Sequence, residues 1–244
     1  MREFSREIEP PRPCSYLPQE TARLENRLLT DVEPAEWEAL LERGWRRFGP
    51  VCFRPACSPC GACISLRIPV ADFRPSKSRR RALADFRSFA LKTGPATASA
   101  EKVALYRRWH AAREDKVGWE PSPLDLRSYR MQFAFPHSCA QEVVLYDGPR
   151  PVLVGLFDRT PRALSAVYCF YDPAIAELSP GTGNVVWTVE HARELGLAHV
   201  YLGYRVLGCR SSAYKARYLP HELLDGRPGP EETPAWKLQP SGVQ

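Results

Sequence analysis

An α+β fold is predicted, with an N-terminal cysteine-bearing domain ahead of a mixed catalytic domain. Three observations carry this expectation. Apolar residues recur at helical spacing in several separate stretches, three strand-like runs follow one another between 142 and 171, and a small, Pro-containing polar segment at 94–100 separates the two textures. With 244 residues, 44% of them hydrophobic, the chain has the length for one large domain or two small ones around an ordinary core. The expected division is 1–93, 100–226 and a mobile tail over 227–244.

Taken in order, the Pro-rich first 20 residues read as loop. From Asp31, an early Pro34 and then Trp37, Leu40, Leu41 and Trp45 predict a helix that Gly49-Pro50 stops. Ile64 to Phe73 alternates like a half-buried strand, and Leu83, Phe86 and Phe89 or Ala90 place a second helix over 79–92. A third runs from Ala100 to about Lys116. Beyond Ser138, residues 142–146, 152–158 and 163–171 predict three antiparallel strands, the first two joined by the Asp147-Gly148 turn. Val185, Val186, Val189, Ala192 and Leu195 mark a helix closed by Gly196, and 198–204 is a last apolar strand. That order, three antiparallel strands, helix, strand, is the core of an acyl-CoA N-acetyltransferase-like (GNAT-like) fold.

Lys and Arg outnumber Asp and Glu by 34 to 28, which favours an acidic partner without approaching the charge of a chromatin protein. The opening residues hold no apolar stretch of signal-peptide length, and no run of about 18 apolar residues occurs, so a soluble cytoplasmic chain is expected. In that compartment the 8 cysteines read as thiols, metal ligands or small core residues rather than as a disulfide framework.

Four constellations carry chemistry. Cys57, Cys60 and Cys63 form C-x2-C-x2-C, which can turn thiolates toward one ion or cluster, with Cys14 the preferred fourth ligand and Cys52 the next; zinc and iron-sulfur both suit thiolates, and reduced thiols in a packed loop are the alternative. Arg79, Arg80 and Arg81, with Lys77 and Arg87, can hold a carboxylate or phosphate through paired N–H donors, or can form a solvated face. Because cations at a helix start oppose its dipole, they need another reason to stand there. Ser179-Pro-Gly-Thr-Gly-Asn184 leads into a helix, an opening that can receive a phosphate or serve as a plain cap. Tyr201 to Cys209, then Ala213-Tyr-Lys215, cluster phenols and cations after the last strand, as a cleft mouth does. The five histidines show no spacing of a metal set or nucleophile pair, and Cys139, Cys169 and Cys209 read as core thiols.

Six ordered blocks, Cys14-Ser-Tyr-Leu-Pro, Gly44-Trp-Arg-Arg-Phe-Gly, Arg54-Pro-Ala-Cys-Ser-Pro-Cys-Gly-Ala-Cys, Ser76 to Arg81, Leu164-Ser-Ala-Val-Tyr-Cys-Phe-Tyr-Asp-Pro and Tyr201-Leu-Gly-Tyr, resemble the bacterial aminoacyl-tRNA-protein transferases, from about Cys14 to Gly226. The resemblance implies transfer of leucine, with arginine the other donor, from its tRNA to proteins beginning with Asp or Glu, as an N-degron mark. Where the family usually reads Ser-Leu-Gly-Thr-Tyr this chain has Ser179-Pro-Gly-Thr-Gly183, and Ser211-Ser-Ala213 replaces a Lys-Met pair. No cofactor is required for that chemistry, since the ester is already activated; a structural or regulatory zinc or iron-sulfur cluster on Cys14, Cys57, Cys60 and Cys63 is compatible with it. On this reading Arg80 and Arg81, with Lys215 or Arg205, bind the acceptor carboxylate. Tyr168, Tyr171 and Tyr204 shape the cleft and handle protons, and Gly181, Thr182, Gly183 and Asn184 receive the tRNA 3′ end. A CoA-dependent N-acetyltransferase and a metal-stabilised RNA-binding module are the competing readings.

Overall fold

The computed structural model describes residues 1–117, 121–209 and 211–240. In chain order the strands and helices are β1 (Arg2–Ile8), β2 (Arg12–Pro13), β3 (Thr21–Ala22), β4 (Leu24–Thr30), α1 (Pro34–Glu42), β5 (Arg46–Phe48), β6 (Val51–Pro55), β7 (Cys63–Pro69), α2 (Lys77–Ala84), β8 (Ala90–Pro95) and α3 (Ala100–Val117). There follow α4 (Leu126–Phe133), β9 (Ala140–Asp147), β10 (Arg150–Arg159), β11 (Ala163–Tyr171), α5 (Pro180–Glu194), β12 (His199–Val206), β13 (His221–Leu224) and β14 (Trp236–Gln239).

The expected core is present. Strands β9, β10 and β11 are antiparallel, α5 follows, and β12 returns parallel to β11. They belong to an eight-stranded sheet in the order β14-β13-β7-β12-β11-β10-β9-β8. Helices α2 and α5 enclose one apolar layer with Val186, Val189, Leu164 and Phe157, and α3 and α4 enclose another with Tyr106, Phe133, Val154 and Phe170. A four-stranded sheet, β1-β4-β6-β5, carries α1, whose Trp37 and Leu41 are fully buried. No described helix is long and apolar enough to cross a membrane.

Several boundaries differ from the expectation for identifiable reasons. The first helix ends at Glu42, not near Gly49. Gly44 takes a left-handed φ of 84°, and Trp45 turns its N–H back to the Leu40 carbonyl at 3.1 Å before β5 begins. The second helix starts at Lys77 under the Ser76 cap and does not reach 92, because Ala90–Pro95 pairs with β9 along a sheet edge. The central sheet draws on both sides of 94–100: β7 and β8, both from the first 95 residues, are built into it. Nor is the stretch after 227 a free tail. Trp236–Gln239 pairs with β13, and the Arg67 guanidinium lies 4.3 Å from the Trp236 ring centroid. Residues 241–244 of the expected tail lie outside the described residues.

Candidate active site

The parallel pairing of β11 with β12 lasts only from Ala163–Ser165 against His199–Tyr201. Past that point the strands part. A bulge between Tyr201 and Gly203 shifts β12 against β7, and another between Leu156 and Phe157 shifts β10 against β11, so both strands bend at the same level of the sheet. Gly203 is needed there: its φ of 78° strains any residue with a Cβ, and such a Cβ would lie 3.4 Å from Lys215 Nζ.

A cavity of about 140 Å³ opens in this wedge, walled by Ala166, Val167, Gly203 and Tyr204 from the parting strands and by Arg46, Phe48 and Phe53 from the N-terminal sheet. Two cations face it. Lys215 donates from Nζ to the Tyr204 carbonyl at 2.9 Å, an acceptor that a continuous ladder would have used. Burial of the ammonium, helped by the nearby Arg46 charge, pulls Lys215 down to about 8. Arg46 is buried, stacks on Tyr201 and Tyr204 at 5.3 and 5.5 Å, and donates to Ser65 Oγ, while its Nε has no partner among the described residues. Burial also holds its guanidinium below the ordinary arginine pKa.

The adjacent Arg47 is neutralised. It makes a two-pronged ion pair with the fully buried Asp158, one prong being Nε to Oδ2 at 3.0 Å, and Trp37 Nε1 donates to the same Oδ2 at 2.9 Å. The pair joins β5 to β10, across the two halves of the chain. His137 lies edge-on to Trp37 and is lowered to about 4 by burial and then by the Arg47 charge, so it is neutral at ordinary pH. The cavity is therefore cationic in net terms, through Arg46 and Lys215.

Most residues assigned from sequence stand elsewhere. Tyr204 lines the cavity; its hydroxyl donates to the Gly44 carbonyl at 2.7 Å, with the Phe53 carbonyl 3.3 Å away, and burial raises its pKa, so it ties β12 to the N-terminal sheet. Tyr168 is packed in the aromatic layer against Phe133 and Trp109, with its phenol also raised by burial. Tyr171 accepts from Arg113 at 3.2 Å, outside the wedge. Arg80 and Arg81 are exposed on α2, Arg80 donating to the Pro75 carbonyl, and neither lines the cavity. Of the acceptor-binding set Lys215 alone reaches it; Arg205 lines a different groove.

The stretch 181–184, expected as a loop, is the first turn of α5. A Cβ on Gly183 would come 2.5 Å from Phe86 and 2.7 Å from the Ala82 carbonyl, so this glycine exists for contact between α5 and the α2 region. Asn184 is buried with Oδ1 turned to the backbone of Gly155. Gly181 and Thr182 keep partial exposure, and the Thr182 hydroxyl reaches the Tyr218 phenol. Ser212, in the departure from Lys-Met, caps β12: its hydroxyl accepts from Val206 N–H and donates to the Val206 carbonyl, both at 3.0 Å.

The cysteine corner adjoins the cavity. Cys63 pairs with Val206 across β7 and β12, and its thiol is pushed up to about 12 by burial and by the proximity of Cys14, Cys57 and Cys60. Arg227 clamps the loop, donating to the carbonyls of Cys57 and Cys60 at 2.7 and 2.8 Å. The expected thiols thus gather. Among the described residues, however, no three His, Cys, Asp or Glu side chains stand in an arrangement that could hold an ion.

What sequence reasoning missed are Arg46, Arg47 and Asp158. The first two lie inside the Gly44-Trp-Arg-Arg-Phe-Gly block, and two arginines among aromatics in a short strand are a usable signal of buried, paired cations. Asp158 carried none, since its partners lie 111 and 121 residues away.

A mixed sheet whose one parallel pair splays around a cationic cleft defines an α+β protein with a seat for an anionic group between its parting strands. Comparison with known proteins narrows the class. Residues 12–81 match the model of the arginine-tRNA-protein transferase N terminus and residues 101–225 that of its C terminus. An aspartate/glutamate leucyltransferase of Chromobacterium violaceum is 36% identical over 95% of this chain and 93% of its own. One from Helicobacter hepaticus is 33% identical over 92% and 94%. Among solved structures, FemX aligns with 87% of this chain and 84% of its own at 9% identity and a TM-score of 0.48, a distance that carries no functional inference. The chain belongs to the arginine-tRNA-protein transferase family.

Proposed function

We propose that this chain moves leucine from leucyl-tRNA to the α-amine of proteins beginning with Asp or Glu, in the cytoplasm, where the new N-terminal leucine marks them for degradation. Full-length relatives named for that reaction support the reading. The structural observation that carries it is the pair of cations, Arg46 and Lys215, facing a cleft that opens where β11 and β12 part.

The acceptor's first side chain supplies the carboxylate. Lys215 Nζ is the donor assigned to it, with the buried Arg46 charge behind, and a charge-assisted hydrogen bond of this kind contributes about 1.5–3 kcal/mol. The chemistry itself asks little more than alignment. The neutral α-amine attacks the ester carbonyl carbon, an amide bond forms, the ester C–O bond breaks, and the amine's proton ends on the released ribose hydroxyl. An α-amine has a pKa of about 7.7–8.0, so a large fraction is already neutral near pH 8 and no dedicated nucleophile is needed.

The test is transfer of radiolabelled leucine, with arginine in parallel, from charged tRNA onto proteins that differ only in starting with Asp, Glu, Lys or Ala. Leucine incorporation confined to Asp and Glu is expected. Arginine incorporation instead would reassign the donor, and incorporation into all four would remove the acidic-acceptor reading.

A further inference from the structure

On the other side of β12 lies a larger groove, about 460 Å³, lined by Arg79, Arg205, Arg217 and His221, with Gln239 and Pro240 at its rim. Three arginines line it, and among the described residues none of them forms an ion pair. By contrast Arg47, Arg54, Arg67 and Arg162 all have carboxylates. His221 is 2% exposed; its Nδ1 lies 3.2 Å from the Tyr218 carbonyl, and its buried Nε2 has no partner among the described residues. Three guanidiniums without carboxylates are the pattern left when an anion completes a site, and the bare Nε2, an acceptor because Nδ1 faces the Tyr218 carbonyl, matches a hydroxyl donor beside that anion.

The groove is also placed where a donor needs it. Side chains alternate along a strand, so Tyr204 faces the cleft and the next residue, Arg205, faces the groove. The short turn that follows does the same, sending Lys215 to the cleft and Arg217 to the groove. Between them the sheet is open, because β12 beyond Tyr201 has lost β11 as a partner. The groove wall continues to the start of α5: Arg79 donates to the Arg217 carbonyl and lies 4.5 Å from the Tyr218 ring centroid, and Tyr218 meets Thr182.

We propose that the Arg79, Arg205 and Arg217 groove holds backbone phosphates of the donor RNA's 3′ end, whose aminoacyl terminus enters the cleft through the gap between β11 and β12. This rests on the transfer reading. RNA suits the groove better than an acidic acceptor does, since one carboxylate is already matched by the cleft cations, while three spread guanidiniums match successive phosphates. His221 Nε2 accepts from a ribose hydroxyl at the same site.

The experiment titrates deacylated tRNA against the full chain at several salt concentrations, for wild type and for Arg205→Gln, Arg217→Gln and Arg217→Lys. Wild type binds with a steep salt dependence. Each Gln variant weakens binding several-fold to about tenfold and flattens the log–log salt slope by about 0.7–0.9, Arg217→Lys restores most of both, and melting temperature and KM for an Asp-starting acceptor stay unchanged. Equal tRNA affinity and slope in wild type and the Gln variants would overturn the assignment while leaving the transfer reading intact. Wild-type protein that binds no tRNA would instead sink the transfer reading. Saturable CoA binding that depends on Arg205, with tRNA binding unaffected, would assign the groove to a CoA pyrophosphate and overturn the proposal.

Discussion

The cleft and the groove lie on opposite faces of one strand and are both cationic, yet their charges are held in different ways. Arg46 and Lys215 are enclosed, and burial lowers both, Lys215 to about 8. Arg205 and Arg217 have neither carboxylates beside them nor deep enclosure among the described residues. Enclosed charge discriminates, because a carboxylate there meets donors that water cannot replace; open charge attracts and positions, and salt weakens it. On the proposed reading, the cleft is the selective seat for the acceptor and the groove the tolerant track for the donor.

The sharpest break in that comparison is Asp158→Ala, which leaves Arg47 buried without its counter-charge beneath the cleft. A loss of about 3–5 kcal/mol is expected in urea unfolding, against less than about 0.5 kcal/mol for Arg217→Gln on the open groove. A second contrast uses pH. With Lys215 at about 8, the KM for an Asp-starting acceptor should climb about tenfold per unit above that pH, while the KM for charged tRNA stays flat. Lys215→Arg, which stays charged, should remove the climb. If both KM values rise together, Lys215 is not the carboxylate's partner.

Stability at low pH tests the enclosed side again. His137 and His199 are both lowered to about 4, chiefly by burial. Below about 6.5 the unfolded chain takes up protons that the folded histidines refuse until about pH 4. Stability is therefore full above 6.5 and declines as pH falls from 6.5 to 4, and His137→Gln should flatten part of that decline in denaturant titrations. The smallest effects separate two neighbouring glycines of α5. Gly183→Ala should cost about 1–3 kcal/mol by overpacking Phe86. Gly181→Ala meets only Tyr171 at 3.8 Å and should gain about 0.5–1 kcal/mol. Thermal melts that rank the two the other way would undo the packing account of that turn.

Local signals carried most of the core. The β9–β10–β11 run, α5 and β12 were legible because each repeats its own period over many residues, and Lys215 was legible because it clusters with phenols just after the last strand. What was hidden depends on distance along the chain. The insertion of β7 between β12 and β13 is decided by pairing partners far along the chain, as Arg67 with Tyr201 shows. Arg80 and Arg81 looked like binding residues by charge density, but the faces of α2 turn them to solvent. The Gly-x-Gly at 181–183 left a phosphate seat and a plain helix cap both open, and at Gly183 the missing side chain makes room for Phe86. Small residues before a helix serve either purpose, and only the neighbour across the contact decides which.

The most direct test of the central claim is leucine transfer from charged tRNA to two proteins that differ only in beginning with Asp or Ala, by wild type and by Lys215→Met. The account predicts strong preference for Asp in wild type and a preference about 10- to 100-fold weaker in the variant, through KM for the Asp protein. An unchanged preference in Lys215→Met, in a variant that is folded and active, would contradict the cleft as the seat of the acidic acceptor.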